Sequence, residues 1–582
     1  MKNAISAVFV LSGIASCTGP DNVEKAGTGG TSPSTGGTGM TAGTTGTPRA
    51  GASAASGASA GGGGSGVGGT GAAGAGVSGA PGAGTGSAGA PAAGGAQPVG
   101  GSAGVPTTGG MSGVGAGAGT GGMSGVAGTG AAGMAGTGGS FVSCPYTPPA
   151  DPTATDAITG TLTTFNNNGA WTWYSDERAV VDVGGGKIVV GSDANAKGDG
   201  GSGRDGNIDV VLYDIATKMV GPVKVLGDLA PDDHNTAGLL VKPDGKYLAF
   251  WAGHNENCNS YFSNYDGSAW AAQKTYAWTT GCPTDTGKSV TYNNLWNMTS
   301  ENKIYNFVRS IGTSPNLLVS SDNGATWTYG GRLSSTPQMG YVAGYYKYWG
   351  NGVDRIDFLG TEAHPRDFDN SLYHGYVKGG KTFDSKDKEL DADISDNTSP
   401  QITVATQVAK TGSTIGAVKI NHLWNSDLMR YDDGTIVALW MARVDTNADD
   451  PDHRFFYSRF NGTEWKHTYL GKTGKKLYND EQDYTGLGAV HPNDPHIIYI
   501  SSPYDLRDDT TLLPKREIFM GVTCDDGATF QWTPVTWNSS TDNIRPIVPK
   551  WDESNMVLLW NRGSYDTAQI YNLDVVGIVT QK

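Results

Sequence analysis

Two eight-residue stretches far apart in the chain follow one rule. Ser320-Ser321-Asp322-Asn323-Gly324-Ala325-Thr326-Trp327 and Thr523-Cys524-Asp525-Asp526-Gly527-Ala528-Thr529-Phe530 both read hydroxyl, any, Asp, any, Gly, any, Thr, aromatic. This is the Asp-box pattern of a β-hairpin turn. The Asp side chain caps backbone N–H groups of the loop, Gly takes the positive-φ position, and the aromatic ring packs beneath the turn. Weaker copies occur at Asn264 to Trp270 (NYDGSAW) and Arg459 to Trp465 (RFNGTEW). These residues are structural, and their recurrence predicts repeated four-stranded units around a ring.

The intervening sequence agrees. Short runs such as KIVVGSD, YLAFWAG, IYNFVRS, TIVALWMAR, IIYISSP and MVLLWNRG alternate with DG, NG and GG turns, and no long amphipathic helix pattern appears. The stretch 141–582 holds nearly all the Trp, Tyr and charged residues. Its length of about 440 residues is too great for one ordinary compact core but suits a repeat architecture. At roughly 60 residues per unit it predicts an all-β, seven-bladed β-propeller.

The first 140 residues read differently. Lys2 leads a short apolar run, Ala7 to Ile14, that ends at Ile14-Ala15-Ser16-Cys17, the small-residue pattern of a cleavage site closing on a cysteine. The run is too short to cross a bilayer core of ~30 Å as a helix. We therefore expect residues 1–17 to be a lipoprotein signal with Cys17 as lipid attachment site, the protein being exported and either lipid-anchored at a bacterial cell surface or outer membrane, or secreted. Residues 18–140 are almost wholly Gly, Ala, Ser and Thr, a composition that buries too little apolar surface to fold. We expect a disordered tether with a root-mean-square reach of roughly 60 Å.

In an exported chain the remaining cysteines invite pairing. Cys258–Cys282 would close a loop just after His254, and Cys144–Cys524 would fasten the start of the propeller to its last blades; other pairings and free thiols remain open. The net charge of −15 excludes nucleic acid as a general partner and leaves the membrane to the N-terminal lipid anchor. An acidic protein can still bind an acidic sugar if cations are concentrated locally. The Asp/Asn-rich loops 192–207 and 445–453 could hold a structural Ca²⁺ through oxygen ligands, but neither has EF-hand spacing; they read as solvated loops, and the metal content is unknown.

Against this scaffold, PDDHNTAGLLVKPDGKYLAFWAGHNENC stands out: His234 and His254 bracket a strand-like segment on either side of a KPDGK turn. Histidine titrates near neutrality and serves as acid or base. Taken alone, His234 could equally be a turn histidine bonded to Asp232 or Asp233, and Tyr292 and Tyr345 could be strand aromatics packed between blades. Arg309, in an apolar strand, needs a partner or a ligand. His374, His422, His453, His467, His491 and His496 read as structural or surface residues.

The motifs WTWYSDERAVV, the His234/His254 segment, VTYNNLW, IYNFVRS, SSDNGATW, GYYKYWGNGVDRIDF, EAHPRDFDNSLYHGY, DHRFFYSRFNGTEW, DEQDYTGLGAVHPNDPHIIYIS and DNIRPIVP occur in an order that resembles the BNR-4 group of seven-bladed propellers. That group includes ulvan lyases, rhamnose-α-1,4-glucuronate lyases and a rhamnosyl-glucuronic acid hydrolase. The resemblance implies a polysaccharide lyase acting as a monomer on a rhamnose- and uronate-containing poly- or oligosaccharide, with no cofactor required for catalysis. It implies His234, Tyr292 and His254 as catalytic residues, with His234 and Tyr292 as the proton-transfer pair. It further implies Arg309 as the carboxylate clamp and Tyr345, His364 and Tyr373 as substrate-binding residues. The family's Arg-Pro ahead of the Tyr345 position is absent, Ala343-Gly344 standing there.

β-Elimination from a 4-linked uronate removes the proton on carbon 5, neutralises the carboxylate as charge builds on it, and protonates the oxygen leaving carbon 4. A guanidinium meets the second demand, and His and Tyr the others. Two alternatives carry their own residue tests. The related hydrolase has its catalytic histidine in the segment matching WTWYSDERA, where this chain has Ser175, which disfavours that mechanism. A non-catalytic glycan-binding propeller would keep Arg309 and the aromatics without proton transfer.

Overall fold

The computed structural model describes residues 142–278, 290–335, 342–444, 451–479 and 481–581. The expected signal 1–17, Cys17 and the tether 18–140 lie outside the described residues, as do Cys282 and positions 445–450 of the second Asp-rich loop.

Seven antiparallel sheets of four or more strands stand around a ring. Their innermost strands, in chain order, are Ala179–Asp182, Gly238–Val241, Thr291–Met298, Tyr346–Gly350, Asn421–Arg430, Gly488–Val490 and Asp542–Ile547. The second strands are buried along most of their length because neighbouring blades cover both faces: Ile436–Arg443 is buried throughout, and so is Tyr247–Trp251. Such strands read as continuous apolar runs rather than as alternating ones.

The ring closes by strand exchange between the ends of the described chain. Leu162–Asn166 forms the outermost strand of blade 7 by pairing with Ile570–Gln581. The expected Cys144–Cys524 disulfide is formed and ties the segment before that strand to blade 6. Cys258 is disulfide-bonded too.

The Asp-boxes do what the sequence predicts. Asp322 accepts from the backbone of Ala325 and Thr326 at 3.1 and 2.9 Å, and Trp327 lies edge-on to Phe250 of the preceding blade at 5.0 Å. Asp525 repeats the cap on Thr529, and Phe530 packs on Tyr457 of blade 5. Gly527, at φ 88°, takes a backbone shape that costs other residues, and a Cβ there would stand 2.4 Å from the Tyr457 ring. The turn aromatics thus staple blade to blade. In the loop 192–207, Asp199 and Asp205 already accept from Asn167 and from the backbone of Ala196.

Candidate active site

The KPDGK turn explains the spacing of the two histidines. His234 sits four residues before the inner strand of blade 2, and His254 three residues after the second strand, Tyr247–Trp251. The hairpin carries the chain to the far edge of the blade and back, so both rings return to the same face of the propeller. They stack with centroids 4.0 Å apart and planes 13° from parallel.

One carboxylate serves both rings. Asp232 offers Oδ1 to His234 Nδ1 at 2.5 Å and Oδ2 to His254 Nδ1 at 3.0 Å. His234 Nδ1 lies a further 2.8 Å from Asp233, whose other oxygen accepts from Arg545 and Tyr565 at 2.5 and 2.6 Å. The turn-histidine reading of PDDHN is therefore correct as geometry, and it builds a site rather than excluding one.

This arrangement separates the two histidines electrically. Burial opposes charge on His234, which is 2% exposed, but the charges of Asp232 and Asp233 outweigh it and raise the pKa to about 9. Burial and the charge of His234 together lower that of His254 below its ordinary value, with Asp232 opposing. At neutral pH His234 is an imidazolium and His254 a neutral imidazole whose Nδ1–H donates to Asp232. Oppositely displaced titrations in one cleft are a signature of an acid beside a base. The atoms of Asp232, His234 and His254 lie close enough together to hold a metal ion, yet both Nδ1 atoms stand at hydrogen-bonding distance from the carboxylate, which is a proton-sharing geometry.

Arg309 ends the second strand of blade 3 opposite Thr291. A bulge between Thr291 and Asn294 places Tyr292 at φ 65°, a conformation uncommon for a bulky residue and typical of functional sites. The bulge turns the Tyr292 ring under the guanidinium, whose carbon lies 4.8 Å from that ring and 5.5 Å from the ring of Tyr345. Arg309 Nη1 also donates to the Tyr345 hydroxyl at 3.2 Å. The guanidinium is held between two aromatic faces.

His364 joins this group, edge-on to Tyr345 at 5.2 Å and 5.0 Å from Trp424. Burial and then the charge of Arg366 push its pKa down to about 3, so it is neutral. Beside it, Arg366 donates to Glu481 at 2.6 Å, and burial raises the Glu481 pKa to about 7 despite that partner. Tyr373 stands apart, donating to Glu362 at 2.8 Å with no contact to the histidine pair. The other histidines are held in local pairs, such as His453 with Asp483 and His374 with Asp357.

Several members of the site carry no short-range signal in the sequence. Trp173 and Tyr174, from the segment entering blade 1, pack against Trp424, Tyr484, Tyr292 and Tyr345 and floor the site across the centre of the ring. Ser175, next in line, is fully buried. Tyr484 of DEQDYTG holds His234 Nε2 at 2.7 Å, and Gln569 of blade 7 donates to Asp232 at 2.5 Å. Only ring closure brings blades 6 and 7 against blade 2.

The family model of BNR repeat-containing proteins matches residues 204–473, from the first blade to the end of the fifth, so the BNR-4 resemblance is met there. No curated protein matches the sequence. Among solved structures, the fold is similar to that of a PL25 ulvan lyase bound to -[GlcA(1-4)Rha3S]- (TM-score 0.51, 14% identity, covering 72% of this chain and 95% of that one). A second structure of a PL25 ulvan lyase gives a TM-score of 0.50 at the same identity and coverage. A NanB sialidase from Streptococcus pneumoniae gives 0.34 at 11% identity, covering 73% of this chain and 70% of that one. At these identities the likeness is one of fold.

Proposed function

We propose that this protein is a polysaccharide lyase that cleaves a rhamnose/uronate glycan by β-elimination without a metal ion. The observation that carries the proposal is the stacked histidine pair on one carboxylate, one ring charged and one neutral, on the same face as a guanidinium held between two tyrosines. Arg309 meets the uronate carboxylate and stabilises the second charge that it gains when carbon 5 loses its proton. His254, neutral and 19% exposed at its side chain, is the base that removes this proton. His234 has both ring nitrogens engaged by Asp232, Asp233 and Tyr484, so it does not act on the sugar directly. Tyr292, under Arg309, orients the clamp. Arg309 is the cation that an acidic substrate meets here, since Arg366 is paired with Glu481 and His234 with Asp232 and Asp233. The ulvan lyase fold and its uronate-bound form agree with this choice of substrate class. Export and lipid anchoring through Cys17 remain part of the proposal, placing the enzyme where extracellular glycan is met.

Ulvan and a rhamnosyl-glucuronate-capped arabinogalactan, incubated separately with the full chain, test the proposal. Growth of the ultraviolet absorbance of a 4,5-unsaturated uronate is the expected result. Release of reducing sugar without that chromophore means hydrolysis, and saturable binding without turnover means a glycan-binding propeller; either overturns the proposal.

A further inference from the structure

The departing oxygen on carbon 4 needs a proton, and His234 cannot deliver one directly. Its Nδ1 faces Asp232 and Asp233, and its Nε2 meets the hydroxyl of Tyr484 at 2.7 Å. With Nδ1–H held by carboxylates, the imidazolium Nε2–H donates to the Tyr484 oxygen, leaving the phenol proton to point elsewhere. The ring of Tyr484 is fixed by Trp173 at 5.0 Å, Tyr478 at 5.5 Å and Trp424 at 5.9 Å. The order Asp232/Asp233, His234, Tyr484 is a relay that ends on a hydroxyl.

Resting on the lyase reading above, we propose that Tyr484 is the catalytic acid that protonates the leaving oxygen, and that His234 is a positioning residue that restores its proton. The C5–H proton passes to His254 Nε2, and the electron pair left on carbon 5 becomes the C4=C5 double bond. The C4–O bond breaks with its electrons on oxygen. That oxygen takes the Tyr484 phenol proton while the His234 Nε2 proton moves to the Tyr484 oxygen. His254 ends charged and His234 neutral; His254 then gives its Nε2 proton to water, and His234 Nε2 regains a proton from water through the Tyr484 hydroxyl, which resets the site.

The surroundings suit an acid. Burial, with the neighbouring Tyr478, Glu481, Tyr292 and Tyr345, raises the Tyr484 pKa well above its ordinary value, so the phenol keeps its proton through neutral pH. On the other side of the relay stand Asp232, Asp233, His254 and, behind Asp233, Arg545.

The test compares Tyr484→Phe with wild type on ulvan in the full chain. Removal of a positioned acid lowers kcat by about 10²–10⁴-fold, with KM within about threefold and the alkaline fall of kcat lost. On a uronate carrying nitrophenolate at carbon 4, which departs without a proton, the loss shrinks below about tenfold. Tyr292→Phe keeps the alkaline fall. Should Tyr484→Phe fail to fold, 3-fluorotyrosine at 484, a more acidic phenol, changes kcat on ulvan while leaving the rate on the nitrophenolate uronate within about threefold. Wild-type kcat with an unchanged alkaline fall in Tyr484→Phe, equal losses on both leaving groups, or an equal effect of the fluorinated residue on both leaving groups overturns the assignment of Tyr484. No unsaturated uronate from wild type on either probe overturns the lyase reading itself.

Discussion

If Arg309 stabilises charge that grows on the uronate carboxylate, its removal costs an amount set by its distance and surroundings. Arg309 is 5% exposed, and its guanidinium is flanked by Tyr292 and Tyr345. A carboxylate held at about 4 Å across an effective dielectric of about 20 interacts with it by about 4 kcal/mol per unit charge. Only the charge added during proton removal affects the rate from the bound state, so Arg309→Met should lower kcat by about 10²–10³-fold. Arg309→Lys keeps the charge but loses the planar fork and both ring contacts, and should cost about 10–100-fold. Initial rates of unsaturated uronate formation measure both. The methyl ester of the same polymer separates binding from catalysis: it gains the same unit of charge from a neutral start, so the Arg309→Met loss in kcat should persist there while the rise in KM seen on the acid should shrink. An Arg309→Met kcat within about threefold of wild type on the native polymer would refute the clamp.

Other expectations concern the proton carriers and the scaffold. Because burial and the charge of His234 hold the His254 pKa below its ordinary value, the acid-side fall of kcat/KM should lie below pH ~6.5. His234→Gln removes that neighbouring charge, so the His254 resonance followed by NMR should titrate at higher pH; an unmoved or lower titration would contradict the coupling. Asp322→Ala removes two backbone caps and the contacts of Asp322 with Ser320 and Thr326. Its expected cost is about 1–3 kcal/mol in denaturant unfolding, with kcat unchanged because the turn carries no site residue. Paired replacement of Cys144 and Cys524 by Ala should cost about 2–4 kcal/mol. A larger loss, or loss of the folded ring, would show that the Leu162–Asn166 strand cannot close blade 7 alone.

The sequence by itself determined the repeat and its periodicity. Asp-box turns, DG turns and short apolar strands are local signals, because each depends on backbone conformation within a few residues, and they place all-β blades on the chain. The histidine spacing was legible for the same reason, since one hairpin returns both rings to one edge. Roles were not. His234 is held charged by Asp232 and by Asp233, the latter anchored from blade 7 by Arg545 and Tyr565, and its Nε2 is engaged because Tyr484 arrives from the segment before blade 6. Tyr373, near His364 in sequence, is directed to Glu362 instead. The contacts that fix His234 and Asp233 span from 250 to more than 300 residues. No propensity or spacing rule reaches that far, because closing the ring is what sets which blades meet, and the field at a buried histidine depends on charges within a few ångströms in space rather than along the chain.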